Sequence, residues 1–409
     1  MLDNSLKSVL DDKKISNALR DNSVEKLGKE SKVYAISDHC DIRKEYSREL
    51  ENLGKVRDLR GNIINGYSSL GTILLNENKK DITLTNMTVF SNKEERFISQ
   101  KELEQYHNKK IEDKNRVAKI KELVDSDTYI NNTVSLKRQS KEISNSLKSK
   151  NSDIVICHIH DRFGDNIEYF KHIDTTLKDQ FVIRVKASRN SNKKKINAKG
   201  NEVGIKLIDV EFSNKKEYII EKLKLKGKVY QQAKVLIEWD NIKLSKTEYS
   251  TVRITLKTRD NKPIHKQPMI LISNIEIKNY KDAKEIYHTY LLRSKIESVF
   301  KFLKDILGLE EFQVRDFNSI KNLITLCYFI GNYFYEIESA LIEHPVIEML
   351  CEMGGGKNIV SRHFFLEGIK KLLIVHNVLK FKRDNSISSK QWGEMALFAG
   401  IGRDELCFP

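Results

Sequence analysis

No apolar run in this chain is long enough to cross a membrane. The longest, LITLCYFIGNYFY (Leu323–Tyr335), is short and interrupted, whereas a spanning helix needs about 20 consecutive apolar residues. It reads as a buried helix. The N-terminal MLDNSLKSVLDDKK lacks the apolar core of a signal peptide. Cysteine is sparse: Cys40, Cys157, Cys327, Cys351 and Cys407 are scattered and odd in number, which argues against a disulfide framework and fits a reducing, cytoplasmic setting. There is no internal repeat. EMGGGK (Glu352–Lys357) lacks both GxxxxGK[ST] spacing and a preceding strand, so it reads as a loop and not a phosphate-binding loop. Acid is the scarcer charge: 57 Asp plus Glu face 72 Lys plus Arg, a net charge of +15. That surplus favours a polyanionic partner, nucleic acid first, although a Lys-, Asn- and Ile-rich composition supplies part of it.

The chain, at 409 residues, allows two or three domains. Residues 1–30 read as polar helices. KVYAISD (Lys32–Asp38), IINGYSSLGTILL (Ile63–Leu75), DITLTNMTVF (Asp81–Phe90), DIVICHIHD (Asp153–Asp161) and FVIRVKA (Phe181–Ala187) read as strands. Glu94–Lys150 is charged and helix-biased. Residues 188–202 form a basic, turn-rich loop. From Val203 to Ser273 the pattern alternates as antiparallel strands do, and residues 281–307, 318–350 and 362–380 read as helices. The order predicts a mixed α/β sheet with a β-rich insertion before its last helix.

The stretch YLLRSKIESVFKFLK (Tyr290–Lys304) reads as one helix. At about 100° per residue, Tyr290, Arg293, Glu297 and Lys304 fall within roughly 60° of one another. Leu291, Leu292, Ile296, Val299, Phe300, Phe302 and Leu303 occupy the opposite, core-facing arc. Taken alone, the polar arc is no more than a solvated face, with Glu297 and Lys301 as a surface pair.

Two strands end in an acid, Asp38 and Asp161, and Glu297 lies on the polar arc. Three carboxylates meeting at one sheet edge make an oxygen-rich site for Mg²⁺ or Mn²⁺, and two such ions can clamp an in-line phosphoryl transfer. Arg293 and Lys304 would then meet phosphate, Arg as a fork and Lys as a point charge. Each acid alone has a plainer role, Asp38 in a turn and Asp161 as a helix cap. A rival zinc set of His39, Cys40, Cys157, His158 and His160 is disfavoured, because strand alternation turns His158 and His160 away from Cys157.

Tyr290-xx-Arg293-xxx-Glu297-xxxxxx-Lys304 resembles the YREK signature of the DDE transposases of the insertion sequence four family. SDHCDIRK around Asp38 resembles that family's first-aspartate strand, and LGKVRDLRGNIINGYSSLGTILL the loop and strand after it. HDRFGDNIEYF, with Arg162 after Asp161, resembles its second-aspartate motif, and QFVIRVKAS, with Arg184 and Lys186, its next strand. The resemblance spans about residues 20–335. It implies a ribonuclease-H-like core with an all-β insertion domain before the last catalytic helix, plus a helical C-terminal region. The implied boundaries are a short N-terminal helical remnant at 1–30, the first part of the core at 31–190 and the insertion at 191–275. The second part of the core follows at 276–345, and a helical region suited to dimerisation at 346–409.

Asp38, Asp161 and Glu297 would hold two Mg²⁺, with Mn²⁺ as substitute, for end nicking, hairpin formation and resolution, and strand transfer. Tyr290, Arg293 and Lys304 would grip the phosphate beside a flipped base. Arg162, Arg184, Lys186 and the cluster Lys193, Lys194 and Lys195 would carry further DNA contact. The implied partners are double-stranded DNA, as transposon ends and target, and a second copy of the chain in a synaptic homodimer. The implied setting is the bacterial cytoplasm, at the nucleoid. The sequence departs from the family twice. Few residues precede Asp38, where members carry a DNA-end recognition domain, so a truncated, non-transposing DNA-binding or inhibitory relative is the alternative, with a structure-specific nuclease of the same fold behind it. Met269 stands where the resemblance places a tryptophan that stacks on the flipped base.

Overall fold

The computed structural model describes residues 11–58, 60–196, 202–225, 227–341, 344–357 and 360–384, with only the backbone described at 195, 196, 341, 378, 379 and 381–384. The chain divides into two compact units, Met1–Tyr333 and Phe334–Pro409. In chain order the first unit has α1 (Asp12–Leu27), β1 (Lys32–His39), β2 (Ile42–Arg43), β3 (Gly54–Arg57), β4 (Ile63–Leu75), β5 (Ile82–Phe90), α2 (Gln100–His107), α3 (Lys114–Asp125) and α4 (Asn132–Lys150). Then come β6 (Val155–His160), α5 (Ile167–Lys171), β7 (Gln180–Val185), β8 (Asn190–Ile196), β9 (Glu202–Lys206), β10 (Asn214–Leu225), β11 (Lys228–Leu244), β12 (Thr247–Lys257) and β13 (Met269–Ser273). The helices α6 (Tyr280–Leu291) and α7 (Ser294–Asp305) follow, then α8 (Phe317–Leu341), α9 (Pro345–Met353) and α10 (Arg362–Asp384).

One half of the sheet runs β5-β4-β1-β6-β7. β1 is antiparallel to β4 and parallel to β6, and β6 is parallel to β7. This mixed α/β arrangement is consistent with a ribonuclease-H-like fold. Alternation along β1 and β6 divides their side chains between two layers. Val33, Ala35 and Ile156 turn to one side and pack with Leu27 of α1 and Ile143 and Leu147 of α4. Tyr34, Ile36 and Asp38 turn to the other, where α6 and α7 lie.

Two sequence expectations need correction. Residues 188–202 are not a loop throughout: β8 pairs antiparallel with β9, Lys194 opposite Gly204. Pairing supplies order that the Lys/Asn composition hides. The segment 191–275 divides between that two-stranded β8–β9 sheet and the main sheet. β10, β11 and β12 join through β13 onto β7, so the core sheet has 11 strands among the described residues. Across it, Trp239, Val252, Leu271 and Arg184 stand in register on four successive strands. Finally, Tyr290–Lys304 is not one helix. α6 ends at Leu291, and a tighter turn, Arg293 N–H to Tyr290 carbonyl and Ile296 N–H to Arg293 carbonyl, leads into α7. Leu291 is consequently exposed, not in the core.

The described residues of the second unit are largely helical. Ile347, Leu350 and Cys351 of α9 pack on Phe365 of α10. The helix predicted over 318–350 is divided, with α8 ending at Leu341 and α9 starting at Pro345. Among the described residues no helix is long and apolar enough to cross a membrane.

Candidate active site

Strand register sets the first two acids side by side. In the parallel β1–β6 pair, Ile36 stands opposite Ile159. Two residues further, on the same face, the register aligns Asp38 with Asp161 at the carboxyl ends of the two strands, a place where α/β sheets present ligands. Adjacent strands lie about 4.8 Å apart, so two carboxylates meet there and repel unless a cation stands between them. Asp161 heads the short 3₁₀ turn Arg162–Gly164, yet its side chain makes no capping bond. The carboxylate turns to the site instead.

The cation is Arg293. Its Nη2 donates to Asp38 Oδ2 at 2.6 Å and lies 3.8 Å from Asp161 Oδ2, while Nη1 donates to Glu297 Oε1 at 2.6 Å. Tyr290 Oη donates to Asp161 Oδ1 at 3.3 Å, and Arg184 Nη1 lies 3.7 Å from the same oxygen. The tight turn between α6 and α7 explains this focus. Residues three apart eclipse in a 3₁₀ turn, which stacks Arg293 directly on Tyr290. The ordinary α-helical step of four then carries Glu297 into line. The i,i+4 partner of Glu297 is therefore Arg293 and not Lys301.

Burial raises the Asp38 carboxyl above its ordinary value, more than Arg293 beside it lowers it. Burial also works against the Arg293 charge, but Asp38 and then Asp161 outweigh it and hold the guanidinium more basic than usual. Burial pushes the Tyr290 phenol up to about 12, so it stays a donor at neutral pH. One guanidinium thus serves three carboxylates, of which Glu297 is largely exposed. Among the described residues no three His, Cys, Asp or Glu side chains close around a metal position; the guanidinium stands between the acids. The donor set still suits a hard divalent ion, being all carboxylate oxygen and already converged on one positive group. Asp38, Asp161 and Glu297 are the residues that would hold Mg²⁺ or Mn²⁺ once Arg293 turned aside.

α7 is held against the sheet by close packing. Gly71 is the β4 partner of Asp38. A Cβ there would come within 2.8 Å of the Phe300 ring of α7, so glycine lets the helix approach beside the first acid.

The other expected residues scatter more. Lys304 lies on α7 but not at the acids. Its Nζ donates to the Asp41 carbonyl at 2.6 Å and to Glu310 Oε1 at 3.0 Å. Arg162 and Lys186 are exposed. Lys193 and Lys194 are exposed on β8, with Lys194 paired to Glu202 at 2.6 Å, and the Lys195 side chain lies outside the described residues. Met269 is half-buried at the start of β13, two residues before Leu271, the strand partner of Arg184. Alternation puts it on the Arg184 face of the sheet.

The zinc candidates go elsewhere. His158 Nε2 is 3.0 Å from Asp179 Oδ2, and His160 bonds the Ser37 carbonyl and the Tyr169 hydroxyl. His39 packs on Phe163, its ring centre 3.6 Å away. Sequence reasoning missed Arg43, whose guanidinium grips Glu310 by two bonds of 2.9 and 3.2 Å. Arg43 lies inside SDHCDIRK, but no local pattern pairs it with a residue 267 positions away.

A comparison with curated proteins gives no match. Residues 159–332 match the family model described as the transposase DDE domain. The matched segment begins after Asp38 and includes Asp161, Arg184, Met269, Tyr290, Arg293, Glu297 and Lys304. Over residues 159–332, which carry the second aspartate and the Tyr290–Lys304 stretch, the chain is therefore similar to a transposase DDE domain.

Proposed function

We propose that the chain is a cut-and-paste transposase of the insertion sequence four type, acting on duplex DNA with Asp38, Asp161 and Glu297 as the catalytic carboxylates. The observation that carries this reading is the convergence of all three acids on Arg293. Two Mg²⁺, when bound, supply Lewis acidity toward a phosphoryl oxygen and a deprotonated nucleophile at neutral pH. The residues of the chain do the holding. Asp38 and Asp161 are fixed by strand register, and Glu297 by the α7 turn. Tyr290 keeps its proton and donates it to an anionic oxygen. Arg293 has a buried Nε–H with no acceptor among the described residues. Buried polar groups are nearly always satisfied, so this hydrogen would gain an acceptor if Arg293 moved from the acids to a DNA phosphate.

Arg184, on the same face, adds positive charge beside Asp161, and exposed Arg162, Lys186, Lys193 and Lys194 extend it outward, with Lys195 next in sequence. Met269, on the Arg184 face, lines the flipped-base position in this reading. A homodimer that pairs two transposon ends, working at the nucleoid in the cytoplasm, completes the proposal.

The test uses the DNA that flanks the reading frame as substrate, with Mg²⁺ or Mn²⁺. Asp38→Asn, Asp161→Asn and Glu297→Gln should each reduce nicking on the order of a thousandfold, about 4 kcal/mol of barrier, with unchanged far-ultraviolet circular dichroism. Cleavage at the parent rate by any one of them removes that acid from the site.

A further inference from the structure

Outside the acid site, the strongest cluster of charge lies at the far end of α7. Glu310 accepts from four donors: the Arg43 backbone N–H at 2.9 Å, Arg43 Nε at 3.2 Å, Arg43 Nη2 at 2.9 Å and Lys304 Nζ at 3.0 Å. The fold brings it there by a reversal of the chain. Gly308 adopts φ +64°, in the left-handed region that suits glycine. The Leu309 N–H then returns to the Leu303 carbonyl, and the Leu309 side chain is buried. Glu310 is thereby turned back on the helix that carries Lys304. On the other side, β2 pairs only with β4, so its outer N–H is left for Glu310. Lys44, the residue after β2, donates to the Phe312 carbonyl at 2.7 Å and stands over the Phe312 ring. The loop after α7 is therefore zipped to two adjacent residues, Arg43 at the end of β2 and Lys44 beyond it.

We infer that Glu310 is a positioning residue that ties Lys304 to Arg43, and that the two cations together form a phosphate-binding pair separate from the carboxylate site. The inference rests on the proposed DNA-handling function. A lone lysine on a flexible stem samples many positions. Here the Asp41 carbonyl and Glu310 take two of the three ammonium hydrogens, which fixes the ammonium in place beside Arg43. Arg43 is similarly fixed through Nε and Nη2, and among the described residues nothing accepts from its Nη1. Arg43 remains about one-third exposed. Arg43, Lys44 and Lys304 stand against Glu310 and Asp41, and this positive surplus with the free Arg43 Nη1 donor is what a phosphodiester oxygen needs. Lys304 is two helical turns from Glu297, about 10 Å along the axis, so the pair meets a different phosphate from the one at the acids.

The experiment measures how the affinity of the full-length protein for an arbitrary-sequence duplex varies with salt. Each phosphate contact contributes about −0.9 to the slope of log K against log salt. Arg43→Ala with Glu310→Gln, and Lys304→Ala with Glu310→Gln, keep the remaining polar group uncharged and protect the fold. Each should be flatter than Glu310→Gln alone by about 0.9. Glu310→Gln alone should steepen the parent slope by a similar amount, because the two cations are no longer held to a carboxylate. A purely structural Glu310 would change the melting temperature and leave the slope alone. An unchanged slope in all three variants, with duplex binding intact, overturns this inference and leaves the transposase reading standing. Failure of the parent protein to bind duplex DNA at all overturns both.

Discussion

At the start of α7 one guanidinium is shared by three carboxylates; at its end one carboxylate is shared by two cations. The same kind of charge-assisted bond closes both clusters, yet the surplus is acidic at one end and basic at the other. Even with Arg184 counted beside Asp161, the first end remains short of positive charge. The difference teaches that an ion pair is not a neutral ornament on this helix. In the proposed reading, the unbalanced remainder points to what each end would bind: cations at Glu297, phosphate at Lys304.

The largest break in that comparison is expected from Arg293→Gln. Asp38 and Arg293 have side chains only 13% and 17% exposed. Removing one partner of such a pair typically costs about 3–5 kcal/mol. Without divalent ions the variant should unfold at distinctly lower denaturant than the parent. Mn²⁺ should then recover more stability in the variant than in the parent, since the acids no longer hold an internal cation. Urea unfolding with chelator or with Mn²⁺ reads both effects, and an equal Mn²⁺ increment in the two proteins would dissociate Arg293 from the cation position.

A smaller effect follows from Gly71→Ala. The new methyl meets Phe300, and overpacking of this kind costs about 1–3 kcal/mol. Because Phe300 seats α7 beside Asp38, nicking of flanking DNA should fall by about tenfold, 1.4 kcal/mol, while duplex affinity, carried largely elsewhere, stays within about twofold. Parallel loss of affinity and nicking would show that Gly71 supports the unit as a whole.

The smallest effect sharpens the comparison through pH, because the two ends carry opposite signs. Burial raises the Asp38 carboxyl. The folded state then holds that proton more tightly than the unfolded state. Its stabilising contribution is complete below the ordinary carboxylate value and is lost as pH rises through the raised one. Glu310 is the reverse. Burial works to raise it, but the hydrogen bonds from Arg43 outweigh burial and lower it. Its contribution is complete above the ordinary value and is lost as pH falls through the depressed one. Each slope is at most one proton, about 1.4 kcal/mol per pH unit. In chelator, Asp38→Asn should remove the first dependence and Glu310→Gln the second. Identical pH profiles for the two variants would erase the distinction between the ends.

Much of this was legible from the sequence where the signal is local. The core strands, Asp38 and Asp161 at strand ends, and the polar steps from Tyr290 follow from alternation and helical periodicity, which need only neighbouring residues. The break at Leu292–Arg293 was not legible, because nothing in LLRS stops a helix; it is imposed by Arg293 reaching two strands. Lys304 was placed on the correct helix but not with its true partners, since Arg43 and Glu310 are joined only by the folded sheet. β8 was hidden because its order comes from β9 and not from its own composition. The role of Gly71 depends on Phe300, 229 positions away, and so leaves no trace in a window around either residue.

The β1–β6 register has a consequence for folding as well as for chemistry. A slip of one residue in β1 would exchange its two faces. Asp38 would turn toward α4, and Ser37 would take its place opposite Asp161. The resulting sheet would keep nearly all its backbone hydrogen bonds, while its catalytic pair would be gone. Fidelity of strand alignment is thus inherited by the proposed site: the pairing of its two aspartates is proofread by the apolar residues Val33, Ala35 and Ile156 on the opposite face, which pack against α1 and α4 in one alignment.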